Sequence, residues 1–333
     1  MATENTLLDV ANLSIQFPTR RGIIDAARDI NINLQPGEVL GLVGESGAGK
    51  STIGNAIVNL LEKPGRISNG SIKFQGQELR ELDDDAMRKV RGDRIGMIFQ
   101  DPQTSLNPLL RIGEQLTETI KKSLAVSDKE AHERALDLLV AVGITQPEAR
   151  LKAYPHQFSG GMRQRVVIAL ALAGEPELII ADEPTTALDV SIQAQILDLI
   201  KDLCKTRNLG VIIVTHDIGV IANIADRVAV MYRGAIVETG PVNQILNSPQ
   251  HPYTTSLIAA VPPTDRKLHR FNSVDYIDGS DSSNEAKRID VSTHWLGEQN
   301  DLKSPDGVAV SVKNLKLSFV LQNAIFKRNR KTL

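Results

Sequence analysis

Three short stretches of this chain put reactive side chains where they could handle a phosphate. The first, Gly44-Glu-Ser-Gly-Ala-Gly49-Lys50-Ser51, fits the pattern GxxxxGK[ST] between an apolar run and a segment of helical period. Glycines there let the backbone curl until several N–H groups converge on an anion, and a helix starting near Ser51 adds its positive end. Lys50 can then reach terminal phosphates, and the Ser51 hydroxyl can hold magnesium. A capped Gly-rich turn would look similar, but the strand before and the helix after favour a phosphate site. The second stretch, Leu178-Ile-Ile-Ala-Asp182-Glu183, is an apolar strand ending in two carboxylates. Asp182 could bind the magnesium, directly or through water, and Glu183 could polarise an attacking water. Alone, such a pair more often marks a solvated turn, and only the phosphate loop turns the reading toward chemistry. The third stretch, Val211-Ile-Ile-Val-Thr-His216-Asp217, offers His216 as a donor to a terminal phosphate, although a single His after a strand is usually structural.

These side chains need a scaffold that gathers strand ends. Residues 7–17 roughly alternate and stop at Pro18, a second strand near Ala27–Leu34 closes at Pro36-Gly37, and Glu38–Gly44 reads as a buried parallel strand. Helical period follows over Ser51–Leu61. Residues 103–157 are mostly helical, with Ile112, Leu116, Ile120 and Leu124 about four apart and the pattern repeated over Ala131–Val142. From Met162 the order is helix, strand (Leu178–Ala181), helix (Val190–Lys205), strand (Val211–Thr215), helix (Ile218–Ile224) and strand (Arg227–Tyr232). Such alternation predicts an α/β fold with a mainly parallel sheet covered on both faces.

Composition bounds the rest. The 333 residues are 41% hydrophobic and 23% charged, enough apolar material for a large core. A net charge of −2 argues against a dedicated nucleic-acid binder. The lone cysteine, Cys204, excludes an intramolecular disulfide, a CxxC zinc site and a cysteine-held iron–sulfur cluster. The N-terminus lacks the profile of a secretory signal, and no apolar run approaches the roughly 18 residues of a membrane span. The expectation is a cytosolic chain, or one held to a membrane through partners. After Val261-Pro-Pro263 the chain turns polar, and residues 264–307 read as a linker, partly disordered. Val312-Lys-Asn-Leu-Lys-Leu-Ser-Phe319 then repeats Val10-Ala-Asn-Leu-Ser-Ile-Gln-Phe17, with Val, Asn, Leu and Phe identical in place.

Further motifs carry a resemblance. Phe158-Ser-Gly-Gly-Met162-Arg-Gln-Arg165 resembles the signature motif of the ATP-binding subunits of ABC transporters, Gln100 their Q-loop, Ala187-Leu188-Asp189 their D-loop and His216 their switch histidine. Within that family, Tyr154-Pro-His-Gln-Phe-Ser-Gly-Gly-Met, Asp101-Pro-Gln-Thr-Ser-Leu-Asn-Pro108 and His251-Pro-Tyr-Thr254 are similar to bacterial oligopeptide/dipeptide importers, a group that includes nickel and glutathione importers. The resemblance implies an ABC ATPase domain over 7–262, with an N-terminal antiparallel β portion and a helical subdomain near 103–175. It implies ATP and magnesium as ligands, peptide import as the purpose, and a place at the cytoplasmic face of the bacterial inner membrane.

The same resemblance assigns residues. Gly44, Glu45, Ser46, Gly47, Ala48, Gly49, Lys50, Ser51 and Thr52 would hold nucleotide. Phe17 is the candidate to stack on adenine, with strand core as its competing role. Ser51, Gln100 and Asp182 would serve magnesium, and Glu183, His216 and Gln100 catalysis. Two domains would stack head to tail, so that Ser159, Gly160, Gly161 and Asp189 act on the partner's nucleotide. The implied partners are a second ATPase subunit (self or paralogue), two permease subunits and, indirectly, an extracytoplasmic binding protein, with no nucleic acid. Many relatives carry a cysteine-rich C-terminal segment that this chain cannot match, and the resemblance to that tail fades beyond Pro263. Residues 308–333 instead resemble the start of a second ABC domain, with a basic run Phe326-Lys-Arg-Asn-Arg-Lys331, so a truncated remnant of a tandem ATPase is an alternative. Soluble ABC ATPases of DNA repair or translation are disfavoured for want of a coiled-coil insertion, zinc hook or basic face. The signature and switch motifs together exclude a simple P-loop kinase.

Overall fold

The computed structural model describes residues 6–259 except Ala187, together with the backbone of 274–275 and 287–288. The chain falls into two units, 1–287 and 288–333, and of the second only the backbone of Arg288 is described. The polar stretch 263–307, apart from those four residues, and the repeat at 312–319 therefore lie outside the described residues.

Strands are β1 (Leu8–Thr19), β2 (Gly22–Leu34), β3 (Val39–Val43), β4 (Arg66–Phe74), β5 (Gln77–Glu78), β6 (Ile95–Ile98), β7 (Leu178–Asp182), β8 (Gly210–Thr215), β9 (Arg227–Tyr232) and β10 (Ala235–Pro241). Helices are α1 (Lys50–Ile57), α2 (Asp84–Lys89), α3 (Pro102–Ser105), α4 (Ile112–Leu124), α5 (Asp128–Ala141), α6 (Pro147–Leu151), α7 (Gly160–Leu172), α8 (Val190–Arg207), α9 (Ile218–Ile224), α10 (Val242–Asn247) and α11 (Pro252–Ala259). Among the described residues, one sheet has the order β10-β9-β3-β8-β7-β6 and is parallel except for β10, and a second, antiparallel sheet has the order β2-β1-β4-β5.

Every residue of β3 is buried, and the reason is periodic. Successive strand side chains point to opposite faces. Val39 and Val43 join the core on one face with Val211, Ile213, Ile179 and Ala181. Leu40 and Leu42 join the other with Ile212, Val214, Leu178 and Ile180. A strand covered on both sides reads as a continuous apolar run, which is why β3, β7 and β8 were visible in the sequence.

Other elements depart from the expectation. The second strand begins at Gly22 rather than near Ala27, because Ile23 and Ile24, though exposed, pair with Pro18 and Phe17 across a hairpin. Helix α1 starts at Lys50, on Gly49 with φ 100°, and ends at Ile57 rather than running to Leu61. Strands β4, β5, β6 and β10 are not among those expected from the sequence; β5 has two residues. β6 has only four residues, too few to display a period, and most of β4 and β10 is only half-buried or exposed. The helical stretch matches: Ile112, Leu116 and Ile120 of α4 are fully buried.

Register fixes the consequence of this topology. Val43 lies beside Thr215, Asp182 beside Val214, and Ile98 beside Ala181. The loops that follow β3, β8, β7 and β6 therefore leave the sheet along one edge, where open α/β sheets place ligands.

Candidate functional site

The phosphate loop bridges β3 and α1, and its neighbours press on it from three sides. A Cβ on Gly44 would stand 2.1 Å from the Met231 carbonyl, and one on Gly49 would stand 2.2 Å from that of Ala26, so both positions exclude any side chain. The turn Arg233-Gly234 between β9 and β10 has positive φ at both residues, and the Gly234 N–H donates to the Ala48 carbonyl at 3.1 Å. On the third side, the Glu45 N–H donates to the Tyr253 hydroxyl at 3.0 Å.

Lys50 is 5% exposed, and its ammonium donates to the carbonyls of Gly44 and Glu45, each at 2.8 Å. Burial lowers its pKa from the ordinary lysine value, and the carboxylates of Glu183, Asp182 and Glu45 oppose that shift. Ser51 donates to Asp182 Oδ1 at 2.9 Å, tying the start of α1 to the end of β7. Burial raises the Asp182 carboxyl, and the Ser51 hydrogen bond offsets part of the rise.

Glu183 follows with φ 46°, a backbone conformation rare for a side chain of its size. Its N–H donates to the Val214 carbonyl at 2.8 Å, which extends the β7–β8 pairing by one residue and turns the side chain off the sheet edge. Three side chains converge on its carboxylate. Gln100 Nε2 donates to Oε2 at 2.7 Å, Thr186 Oγ1 to the same oxygen at 2.9 Å, and His216 Nδ1 meets Oε1 at 2.7 Å. Burial raises this carboxyl, but the hydrogen bonds of His216 and Thr186 and the charges of His216 and Lys50 outweigh it and leave the pKa below the ordinary glutamate value.

The structure thus gathers Gly44–Thr52, Gln100, Asp182, Glu183 and His216 at one edge. Ser159 and Asp189 make a different arrangement. Ser159 caps α7 by accepting from the Met162 N–H at 3.3 Å, and Asp189 caps α8 by accepting from the Ile192 N–H at 3.0 Å and the Ser191 hydroxyl at 2.9 Å. The two helix starts adjoin, because a Cβ on Gly161 would stand 2.6 Å from Ile192 Cγ2 and one on Gly160 would stand 3.8 Å from Leu188 Cδ2. Phe17 is half-buried at the end of β1, opposite Ile24, with its ring packed over Gly65. Ala187 lies outside the described residues.

Two contacts escaped the sequence. Thr186 was readable only as part of the turn after Glu183, and Tyr253 only as part of His251-Pro-Tyr-Thr254; nothing local shows what either hydroxyl touches.

The donor set fits magnesium. Ser51, Asp182 and Gln100 offer hard oxygens with one carboxylate among them, and no group of three or more His, Cys, Asp or Glu among the described residues could hold a metal alone. Magnesium keeps several waters and leans on substrate phosphates, so a sparse oxygen set beside a phosphate loop suits it.

Comparison with known proteins gives the family. Residues 27–186 match the family model described as ABC transporter, and residues 237–285 match the C-terminal region of oligopeptide/dipeptide transporters. The second match runs past Pro263, where the motifs alone stop, so the first part of the polar stretch falls inside that region. The oligopeptide transport ATP-binding protein OppD of Bacillus subtilis is 55% identical over 257 residues, covering 77% of this chain and 72% of that protein. The dipeptide transport ATP-binding protein DppD of Lactococcus lactis is 46% identical over 272 residues, covering 81% and 78%. Among solved structures, the dimeric ATP-binding cassette MJ0796 in a post-hydrolysis state with ADP and Pi superposes with a TM-score of 0.64 at 32% identity, over 71% of this chain and 98% of that one. CbiO1 from Clostridium perfringens, part of an ABC transporter complex, gives a TM-score of 0.64 at 28% identity, over 73% and 92%. The chain belongs to the ATP-binding subunits of ABC transporters, in the oligopeptide/dipeptide branch.

Proposed function

We propose that this chain hydrolyses ATP to drive the import of peptides through a membrane complex, working peripherally at the cytoplasmic face of the bacterial inner membrane. The observation that carries the reading is the convergence of Gln100, Thr186 and His216 on the Glu183 carboxylate, beside a phosphate loop whose serine donates to Asp182. Peptide is favoured over nickel or glutathione as cargo because the similar proteins above are named for oligopeptide and dipeptide transport.

The residues divide the work. Backbone N–H groups of the loop and the start of α1 receive the phosphates, and Lys50 exchanges its two carbonyls for phosphate oxygens. Ser51 and Asp182 hold magnesium, which when bound neutralises phosphate charge, and Gln100 completes that side. Glu183, ionised at neutral pH, accepts the proton of the attacking water once Gln100 and His216 release it for that task. His216 then donates to the terminal phosphate. Phe17, with Ile24 across the hairpin, offers adenine an apolar platform.

Assembly completes the site. Ser159 and Asp189 cap their own helices within one chain, and together with Gly160 and Gly161, which open α7, they act on the nucleotide of a second ATPase subunit stacked head to tail. Beside Gln100 a groove of about 620 Å³, lined by Leu60, Arg91, Met97, Phe99 and Leu170, receives a permease subunit. No helix among the described residues is long and apolar enough to cross a membrane.

The test compares two variants. Glu183→Gln should bind ATP and fail to hydrolyse it, while Lys50→Ala should lose binding. Undiminished turnover in Glu183→Gln would remove Glu183 from the role of base.

A further inference from the structure

The phosphate loop is gripped by a residue that lies outside it, 208 positions along the chain. One peptide unit, joining Gly44 to Glu45, is held at both ends. Its carbonyl accepts from the Lys50 ammonium at 2.8 Å, and its N–H donates to the Tyr253 hydroxyl at 3.0 Å. A peptide unit is planar, so fixing the N–H direction also fixes where its carbonyl points. Tyr253 therefore sets the orientation of the carbonyl on which the ammonium rests.

Tyr253 itself is firmly placed. It is 2% exposed, and its ring lies 4.3 Å from that of Tyr232, centroid to centroid. Its N–H donates to His251 Nδ1 at 3.1 Å, and Glu238 of β10 accepts from the N–H groups of Gln250 and His251 at 2.8 and 3.0 Å. The start of α11 is thus pinned to β10, and the tyrosine reaches from there to the loop. Burial pushes the phenol up to about 12, against which the Glu45 N–H hydrogen bond works, so the hydroxyl stays protonated. A neutral oxygen at this point adds no charge to the loop.

We propose that Tyr253 is a positioning residue for nucleotide binding: by holding the Gly44–Glu45 peptide it keeps the loop open to phosphate while Lys50 transfers from the Gly44 carbonyl to the nucleotide. The C-terminal region of this branch thereby reaches the nucleotide site through one hydroxyl. This rests on the reading of the loop as an ATP site.

The test uses the full chain with Tyr253→Phe, which keeps the ring on Tyr232 and removes only the hydroxyl, and Tyr253→Leu, which removes both. Amide exchange in the absence of nucleotide should show faster exchange at Glu45 in Tyr253→Phe, with the buried strand Val39–Val43 unchanged. ATP titration and kinetics should show Kd and KM raised about five- to ten-fold in Tyr253→Phe, the loss of one neutral hydrogen bond, with kcat within about two-fold of the parent. If packing alone mattered, Tyr253→Phe would match the parent in exchange and in KM and only Tyr253→Leu would suffer; that result overturns the proposal. ATP binding by the parent separates the two readings. If the parent chain itself failed to bind ATP, the ATP site would fall and this role with it, whereas a parent that binds and a Tyr253→Phe that binds equally well would overturn the role alone.

Discussion

Glu183 carries opposing influences that pH can separate. Burial raises its carboxyl, yet the His216 and Thr186 contacts hold it below 4.5, its ordinary value. A carboxyl lowered on folding contributes stability above its unfolded value and loses it as pH falls through the folded one. The parent should therefore lose thermal stability more steeply below pH 4.5 than Glu183→Gln, and melts across the acid range would show it. Parallel melting curves would mean that Glu183 titrates as it does in the unfolded chain. Asp182 works in the opposite sense, since burial raises it and its ionised form costs stability as pH rises. Thr186 shares Oε2 of Glu183 with Gln100. Thr186→Val keeps the shape and removes the donor, so kcat should fall about three- to ten-fold, with KM for ATP nearly unchanged. An unchanged kcat would make the Thr186 hydroxyl part of the turn alone. Cys204 is buried, and its thiol, bonded to the Leu209 carbonyl at 2.9 Å and pushed up to about 11 by burial, should resist thiol reagents until the chain opens.

At the scale of elements, helix starts serve two purposes that mutation can tell apart. Ser127 caps α5 by accepting from the Glu130 N–H, and Ser127→Ala should cost about 1 kcal/mol in urea unfolding while leaving turnover alone. Asp189→Ala removes the same kind of cap from α8 and should lower turnover as well, if Asp189 reaches a partner's nucleotide. Leu116 of α4 is fully buried, and Leu116→Ala should cost about 2–5 kcal/mol. Elements also decide what could be read beforehand. The strands β3, β7 and β8 announced themselves because burial on both faces demands an unbroken apolar run, and each leads into residues of the proposed site. Gln100 follows β6, a strand too short to signal itself, and only the motif resemblance located it. The Thr186 hydroxyl meets Glu183 within one turn and that of Tyr253, in α11, meets the phosphate loop, and no hydrophobic period displays either contact. The left-handed turn at Glu183 is likewise invisible locally, since it follows from the added pairing with Val214.

On the scale of the whole molecule, the two halves of the proposed machinery sit on separate groups of elements. The phosphate loop, Asp182, Glu183 and His216 line one edge of the parallel sheet, whereas Ser159 and Asp189 stand at the adjoining starts of α7 and α8 and spend their hydrogen bonds on their own helices. A chain that needs both halves at one nucleotide must borrow one from a neighbour, and the similar solved cassette is a dimer. If the neighbour is a second copy, symmetry makes a mixing experiment decisive. Lys50→Ala alone lacks the loop's lysine at both sites, and Ser159→Arg alone lacks a usable signature at both. Mixed in equal amounts, half of the dimers would be hybrids with one intact site, so roughly a quarter of the parent's ATPase activity should return. The rate per molecule of the parent should also climb with its own concentration, as expected when the active species is assembled by mass action. Two inactive variants that stay inactive together, with a parent whose rate is flat and near zero despite binding ATP, would assign the second half of the site to a paralogous subunit.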